Sequence, residues 1–171
     1  MTVACEVTTL WFGDDGVIPN NPRLPVVLLR AALPADAGAA HVRSIHQRNG
    51  WGGNWAYTVF DYHHWHPDAH EVLSVSRGAA ELMLGGPQGD RLELRAGDTL
   101  VLPAGTGHCR LSASADFEVC GAYPPGQEHY TTRRNRPADR RDGPEQIARV
   151  PLPDRDPVFG DAGPLTRAWS R

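Results

Sequence analysis

Residues 64–78 read HWHPDAHEVLSVSRG, and this stretch decides the fold of the chain. Because side chains alternate between the two faces of a β-strand, His64 and His66 point the same way, one above the other. Turn-forming residues follow and fold the chain back, so that Glu71 opens the next strand from the adjacent position. Two imidazoles and a carboxylate are therefore predicted to meet on one face of a sheet.

A second stretch supplies one more residue of the same kind. Residues 97–108 read GDTLVLPAGTGH and end on His108, which a later hairpin brings to the first three. A site held inside a closed sheet draws its ligands from separate strands in this way. The pattern predicts one divalent transition metal per chain, either iron, manganese, nickel or zinc. The predicted ligands are His64, His66, Glu71 and His108.

The two stretches resemble the paired motifs of the cupin superfamily, HxH-x4-E-x6-G followed by G-x5-PxG-x2-H. The matching positions here are His64, His66, Glu71, Gly78, Gly97, Pro103, Gly105 and His108. The sequence departs from the family pattern at Thr58 and Ser112, where the motifs usually have Gly and Asn. Segments such as IPNNPRLPV (18–26) and IARVPLPDRDPVFG (147–160) are similar to a group of bacterial single-domain cupins of unassigned activity. The resemblance implies the double-stranded β-helix fold and the metal site, but no particular reaction.

Other readings of these histidines remain open. A strand histidine is often a hydrogen-bonded core residue, and some cupins have lost their metal. Burying three imidazoles and a carboxylate without a cation would, however, be costly. Alternation turns His70 away from the site, so it is a ligand only if the turn adds a bulge. Tyr62 shares the inward phase of His64 and is the candidate catalytic proton donor, although it could equally be an aromatic core residue.

Composition limits the possible classes of protein. The 171 residues suit a single domain, and a net charge of -3 predicts no bulk electrostatic affinity for nucleic acid. No stretch approaches the roughly 20 apolar residues of a membrane span, and the N-terminus lacks the basic region of a secretory signal. Three cysteines without a CxxC pair indicate free thiols in a reducing compartment, so we expect a cytoplasmic protein.

The absence of lysine narrows the chemistry further. All 17 basic residues are arginine. Schiff-base chemistry, attachment of pyridoxal phosphate and a phosphate-loop lysine are therefore excluded. No GxGxxG segment opens a helix and no GxSxG segment is present, which leaves the histidine cluster as the candidate reactive site.

The predicted fold class is all-β: a jelly-roll barrel with one short N-terminal helix and an irregular C-terminal arm. A single domain, residues 1–171, would comprise an N-terminal arm and helix (1–54), the barrel core (55–123) and the C-terminal arm (124–171). Seven strands are predicted in the core at residues 55–66, 71–77, 80–84, 91–95, 99–102, 108–112 and 116–123.

The two arms carry their own predictions. Residues 26–29 could add an edge strand, and a helix is expected to begin with Asp36 as its N-cap, with His41 and His46 on its surface or at its caps. The C-terminal arm is rich in Pro, Gly and Arg, which would suit a disordered tail. Its recurring apolar residues favour instead an ordered arm packed on the barrel through Phe159, Leu165 and Trp169.

These features favour a mononuclear metalloenzyme acting on a small polar metabolite, with a dioxygenase as the first candidate. An isomerase or a decarboxylase would use the same ligands. A non-catalytic, metal-dependent binding or sensing protein is the alternative from another class. Pairing of the N-terminal arm across a two-fold axis would cover exposed sheet edges, so a homodimer is expected.

Overall fold

Two antiparallel β-sheets account for most of the regular structure in this computed structural model, which describes residues 4–170. The strands are β1 (Glu6–Leu10), β2 (Val26–Arg30), β3 (Gly52–Tyr57), β4 (His64–Trp65), β5 (Glu71–Arg77), β6 (Ala79–Leu84), β7 (Asp90–Arg95), β8 (Thr99–Leu102), β9 (His108–Ala113), β10 (Glu118–Tyr123) and β11 (Arg133–Arg134). The helices are α1 (Gly38–Arg48), α2 (Pro137–Arg140), α3 (Gly143–Arg149) and α4 (Pro164–Ala168).

The sheets form a jelly roll. One has the order β1-β2-β8-β5-β10-β3 and the other the order β11-β4-β9-β6-β7. Between them lies an apolar core that includes Leu73 from the first sheet and Leu82 from the second. This arrangement confirms the all-β fold class predicted from the sequence. Within residues 4–170, no helix is long and apolar enough to cross a membrane.

The predicted strand over residues 55–66 is two strands instead. Strand β3 ends at Tyr57 and pairs with β10 in the first sheet, whereas β4 starts at His64 and pairs with β9 in the second. The chain must cross from one sheet to the other between them, so residues 58–63 cannot continue a strand. The regular alternation of side chains that we predicted from residue 55 to residue 66 therefore does not hold across residues 58–63.

Helix α1 corrects two predictions. Its N-cap is Ala37, because Asp36 lies within a preceding turn in which the N–H of Ala37 bonds the carbonyl of Pro34 at 3.1 Å. His41 is exposed as expected, but His46 is completely buried. His46 follows Val42 by one helical turn, which places it on the stripe that packs against the sheet.

Both arms belong to the body of the molecule. Strand β2 lies between β1 and β8, so the prediction that it forms a sheet edge is wrong and β1 takes that position. The C-terminal arm is more regular than expected, since it contains three short helices and one strand. Leu165 and Trp169 are buried in a core cluster, which confirms the predicted packing. Phe159, however, is 45% exposed, because it lies in the tight Asp156–Gly160 turn with its side chain outward.

Candidate metal centre

The three histidines of the two motifs converge at one point in the barrel. His64 on β4 and His108 on β9 are direct partners in the sheet, and their ring centroids lie 4.0 Å apart. His66 follows directly after β4. One ring nitrogen from each of the three lies within 4.8 Å of the others, and all three side chains are buried.

Glu71, the first residue of β5, faces this group of rings. Its Oε1 lies 3.4 Å from Nε2 of His108, and its Oε2 lies 3.6 Å from Nε2 of His66. Donor atoms that share one first-row ion at ~2.1 Å lie about 3 Å apart at right angles and about 4 Å apart when opposite. The separations of Glu71 from His66 and His108 therefore suit ligands that share a single ion of this class.

The hydrogen bonds of the three imidazoles fix their tautomers. In each ring Nδ1 faces a backbone carbonyl, and a carbonyl oxygen can only accept a hydrogen bond. The pairs are His64 with Tyr62 at 2.9 Å, His66 with Thr131 at 2.8 Å and His108 with Thr106 at 2.9 Å. Nδ1 must then carry the proton, so Nε2 of each neutral ring keeps its lone pair for a cation.

The charges at the site call for a cation. Burial lowers the pKa of His64 to about 2 and also lowers the pKa of His66, so both rings are neutral at neutral pH. Burial alone would raise the pKa of Glu71, but positive charge at the positions of His66 and His108 and a hydrogen bond from Tyr123 lower it to about 2. Because the ring of His66 is itself neutral, a bound cation would have to supply that positive charge. A carboxylate then faces two imidazole lone pairs. A metal ion placed among them would replace this repulsion with attraction.

A buried nitrogen of His108 gives a second reason to place a cation here. Its Nε2 is buried and has no hydrogen-bond partner among residues 4–170. A buried polar atom without a partner is costly, and such atoms in native proteins usually mark a missing ligand, ion or water. Coordination of a metal would satisfy this nitrogen.

Tyr123 is a site residue that the sequence analysis missed. Its hydroxyl donates a hydrogen bond of 2.8 Å to Oε2 of Glu71 and accepts one of 2.9 Å from Nε1 of Trp55. The Tyr130 ring stacks on it with centroids 4.2 Å apart. Burial and the charge of Glu71 raise the pKa of Tyr123, so it stays a neutral donor.

A glycine brings Tyr123 and Trp55 together. A Cβ atom on Gly121 would lie 2.2 Å from the indole of Trp55, so only glycine leaves room for that ring on the sheet. Tyr123 lies two residues further along β10 and therefore shares the face of Gly121. The phase of Tyr123 can be read from the sequence, but the pairing of β10 with β3 and β5, which brings it to Trp55 and Glu71, cannot.

Tyr62 lies elsewhere than expected. Its ring stacks on Phe60 with centroids 5.0 Å apart, and the guanidinium of Arg134 lies 3.7 Å from its centre on a face of the ring. Its side chain is not among those that line the cavity at the metal centre. The inward phase assigned to Tyr62 is wrong, because residues 58–63 cross between the sheets. Its backbone carbonyl accepts from Nδ1 of His64, and its ring lies edge-on to the His64 ring with centroids 5.5 Å apart.

His70 also faces away from the centre. Its Nδ1 accepts a hydrogen bond of 2.8 Å from the N–H of Ala104, and its ring lies 4.8 Å from the Trp169 ring. The structure shows no bulge that would turn it towards Glu71. His70 therefore does not join the cluster that His64, His66 and His108 form.

The cavity above the metal centre has a volume of about 240 Å³ and a largely aromatic wall. Its lining residues are Trp55, Tyr57, Thr58, Val59, Phe60, His64, His66, Glu71, Leu73, His108, Tyr123, Tyr130 and Thr132. Tyr57 and Phe60 are exposed at its rim. Apart from Glu71 and the histidines, no ionisable group other than tyrosine occurs in this described lining. The cavity therefore suits a small ligand with a flat apolar body.

Segments outside the barrel core hold the ligands in place. Strand β11 pairs with β4, and Thr131 just before it supplies the carbonyl that orients His66. On the other side, Oδ1 of the buried Asn20 accepts a hydrogen bond of 3.0 Å from the N–H of Gly107, one residue before His108. Neither contact could be predicted from the spacing within the two motifs.

Comparisons with solved structures give distant likenesses only. A TDP-quinovose 3,4-ketoisomerase from Campylobacter jejuni is 18% identical, with a TM-score of 0.35 over 40% of this chain and 60% of that one. An acireductone dioxygenase from Bacillus anthracis, solved with a cadmium ion, is 16% identical, with a TM-score of 0.39 over 57% of this chain and 76% of that one. Likeness at this level carries no argument about activity.

Sequence comparisons are decisive for the family. Residues 58–116 match the family described as cupin domain. An uncharacterized protein of Bacillus subtilis strain 168, YjlB, is 42% identical over 164 residues, which are 96% of this chain and 97% of that protein. Both motifs run across the two facing sheets, and the relative matches almost the whole of this chain. This chain therefore belongs to the cupin family.

Proposed function

We propose that this cupin is a mononuclear metalloenzyme that holds one divalent transition metal through His64, His66, Glu71 and His108. One observation carries the proposal. Three buried imidazoles, each with its Nδ1 proton bound to a carbonyl, converge beneath a cavity of about 240 Å³, and two of them lie beside the buried carboxylate of Glu71.

The reaction class we propose first is a dioxygenase-type oxidation. When bound, a metal with open coordination positions supplies Lewis acidity and, if it is iron, reactivity towards dioxygen. Isomerases and decarboxylases with these ligands would need a separate side chain to move protons. Among the described residues that line the cavity, Tyr123 bonds Glu71 and Tyr130 packs against His66, and Tyr123 is held as a neutral donor. Oxygen chemistry at the metal would require less proton transfer by these side chains.

The protein's own groups have defined roles in this proposal. Tyr123, rather than Tyr62, keeps a proton at its hydroxyl and orients the Glu71 carboxylate through Oε2. Trp55 in turn fixes the Tyr123 hydroxyl with its Nε1–H. The aromatic wall excludes water and narrows the expected substrate from any small polar metabolite to one with a flat apolar body and an oxygen donor that can reach the metal.

A non-catalytic binding or sensing role is the second candidate. The exposed rings of Tyr57 and Phe60 at the cavity rim would suit capture of a planar ligand whether or not a reaction follows. Under either function we propose a reducing cytoplasmic setting, which agrees with the three free cysteines Cys5, Cys109 and Cys120.

The test begins with elemental analysis of protein purified without added metal or chelator. Iron(II)-loaded protein is then placed in an oxygen electrode with a panel of thiols, diketones and phenolic acids. Zinc-loaded protein is the matched control, because it has the same ligands but no redox chemistry. We expect substrate-dependent oxygen uptake with iron and none with zinc. Binding of a panel compound without uptake would favour the sensing role, and failure to retain any divalent metal would overturn the metal centre.

A further inference from the structure

Thr58 lines the metal cavity, but the proposed function gives its side chain no role. The first cupin motif usually has glycine at this position, so the hydroxyl is an addition of this chain to the cavity wall. Thr58 begins the segment that crosses between the sheets. A backbone hydrogen bond of 2.9 Å from the N–H of Arg110 to the carbonyl of Phe60 already attaches this segment to β9. The Thr58 side chain is therefore not needed for that attachment.

The hydroxyl of Thr58 accepts a hydrogen bond from the guanidinium of Arg110. Nη1 of Arg110 lies 2.8 Å from Oγ1 of Thr58, and both side chains are partly buried. Arg110 follows His108 by two residues on β9, so the two side chains share one face of that strand. The guanidinium is always charged, and it forms no ion pair within residues 4–170. Its positive charge therefore acts on Thr58 without a carboxylate in direct contact.

This contact leaves the proton of the Thr58 hydroxyl available to another acceptor. A guanidinium only donates hydrogen bonds, so Oγ1 is the acceptor in this pair and keeps its own proton to donate. Within residues 4–170 that proton has one acceptor, the carbonyl of Val59 at 3.5 Å, which is beyond the roughly 2.5–3.0 Å of an effective O–H···O hydrogen bond. Accepting from a cation also makes the hydroxyl a stronger donor. An oxygen of a ligand in the cavity would complete this arrangement.

Other hydroxyls of the cavity wall differ from Thr58 in their surroundings. Tyr123 donates to Glu71 at the metal centre, and Tyr57 is 66% exposed at the rim. Among the described lining residues, Thr58 is the one whose hydroxyl accepts a hydrogen bond from an arginine. It is therefore the polar group of the wall best prepared to donate to a ligand.

We propose that Thr58 selects substrates that carry a second, carbonyl-type oxygen in addition to the oxygen that binds the metal. The hydroxyl of Thr58 donates a hydrogen bond to this second oxygen. Arg110 is a positioning residue, which fixes the hydroxyl and strengthens it as a donor. The inference rests on the proposed metal centre and narrows its substrate class to planar molecules with oxygens at two separate places.

The test compares two planar catechols on zinc-loaded protein, which cannot oxidise them. One is 3,4-dihydroxyacetophenone, which carries a ketone, and the other is 4-ethylcatechol, which has a methylene group in place of the ketone. Calorimetry under anaerobic conditions gives the dissociation constant of each, and the ratio of the two constants is compared between variants. The ketone changes the acidity of the phenols equally in every variant, so a change in this ratio reports a contact between the protein and the ketone.

Thr58→Val removes the hydroxyl and keeps the shape of the side chain. The preference for the ketone should fall by about tenfold, because a charge-assisted hydrogen bond is lost. The affinity for 4-ethylcatechol and the zinc content should stay at the parent values. Thr58→Ser keeps a hydroxyl and should keep the preference, whereas Arg110→Met removes the charge and should lower the preference by about threefold. Ser112→Ala is the control, since it removes an exposed hydroxyl of β9 outside the cavity lining and should leave the ratio unchanged.

Three results would overturn the inference while leaving the metal centre in place. These are an equal ratio in Thr58→Val and the zinc-loaded parent chain, a ratio in Thr58→Ser as low as that in Thr58→Val, and failure of the zinc-loaded parent chain to bind either catechol. A full preference in Arg110→Met would overturn the role of Arg110. A parent chain that retains no zinc in elemental analysis would instead overturn the proposed metal centre, and this inference with it.

Discussion

The hydroxyl of Tyr123 donates a hydrogen bond of 2.8 Å to Oε2 of Glu71, although the two residues are 52 positions apart. Strands β10 and β5 are neighbours in the first sheet, and this pairing brings the phenol beside the carboxylate. The bond leaves Glu71 with a fixed orientation while its other oxygen faces His108. Groups that orient metal ligands in this way tune both the affinity for the metal and the chemistry at it.

Replacing Tyr123 with phenylalanine should therefore weaken metal binding. The ring and its stacking on Tyr130 remain, but the hydrogen bond to Glu71 is lost. We expect the affinity for a divalent metal to fall by about tenfold, as measured by competition with a chromogenic chelator.

Tyr62→Phe is the matched control for this variant. It removes a phenol hydroxyl whose ring lies outside the cavity lining, so metal affinity should stay at the parent value. Equal losses in the two variants, or a loss in Tyr62→Phe alone, would return the proton-donor role to Tyr62 and contradict our assignment of Tyr123.

The metal ligands themselves give a second prediction. His108→Ala or His66→Ala should remove most of the bound metal, because each takes away a lone pair that no neighbouring side chain among the described residues replaces. His63→Ala, next to a ligand but not one of the converging side chains, should retain the metal. Metal content is measured by elemental analysis of each purified variant, and full occupancy in His108→Ala would refute this ligand set.

The sequence allowed prediction of those parts of the fold that depend on local spacing. The convergence of His64, His66 and His108 and the position of Glu71 beside two of these rings follow from alternation along strands and from two turns. Tyr62 was misplaced for a physical reason. A change of sheet between β3 and β4 interrupts alternation, and nothing in the local residue pattern marks that change.

Long-range contacts were beyond what periodicity can predict. The hydrogen bond from Gly107 to Asn20 spans 87 positions, and that from Tyr123 to Glu71 spans 52. Both depend on which strands become neighbours in the folded barrel. The burial of His46 was predictable in principle, since it lies on the same helical stripe as Val42 and Ile45, but its polar side chain favoured a surface assignment.

His46 should make the stability of the protein depend on pH. Its Nε2 forms a hydrogen bond of 2.9 Å with the hydroxyl of Ser74, which also bonds Thr99, and burial lowers the pKa of His46 to about 4. The unfolded chain takes up this proton near pH 6.5, so the folded state loses stability as the pH falls from 6.5 towards 4. Stability from this group is fully present above pH 6.5.

Urea unfolding of the protein and of His46→Leu at pH 7 and pH 4.5 tests this effect. The variant lacks the titrating group, so its loss of unfolding free energy between the two pH values should be smaller by roughly 2 kcal/mol. His41→Leu, at an exposed position of the same helix, is the control and should keep the pH dependence of the parent chain. An unchanged pH dependence in His46→Leu would show that His46 does not titrate in this way.

The edge strand β1 leads us to predict a homodimer. Its outer backbone groups are unpaired within the described sheet, and Val7 and Trp11 are 44% and 59% exposed beside them. Pairing with a second copy would cover this edge. Light scattering should give twice the monomer mass at micromolar concentration, and Trp11→Glu should shift the equilibrium to monomer. A monomer across the micromolar range for the parent chain would contradict the prediction.

The C-terminal arm should contribute strongly to stability through Trp169. Its side chain is 3% exposed, packs beside Leu165 in the core and donates a hydrogen bond of 2.8 Å from Nε1 to the carbonyl of Pro25. Trp169→Ala should therefore cost about 3–5 kcal/mol and lower the melting temperature by roughly 10 °C in calorimetry. Phe159→Ala removes an exposed ring from the same arm and should change stability by no more than about 0.5 kcal/mol. Equal melting temperatures for Trp169→Ala and the parent chain would mean that the arm adds nothing to the fold.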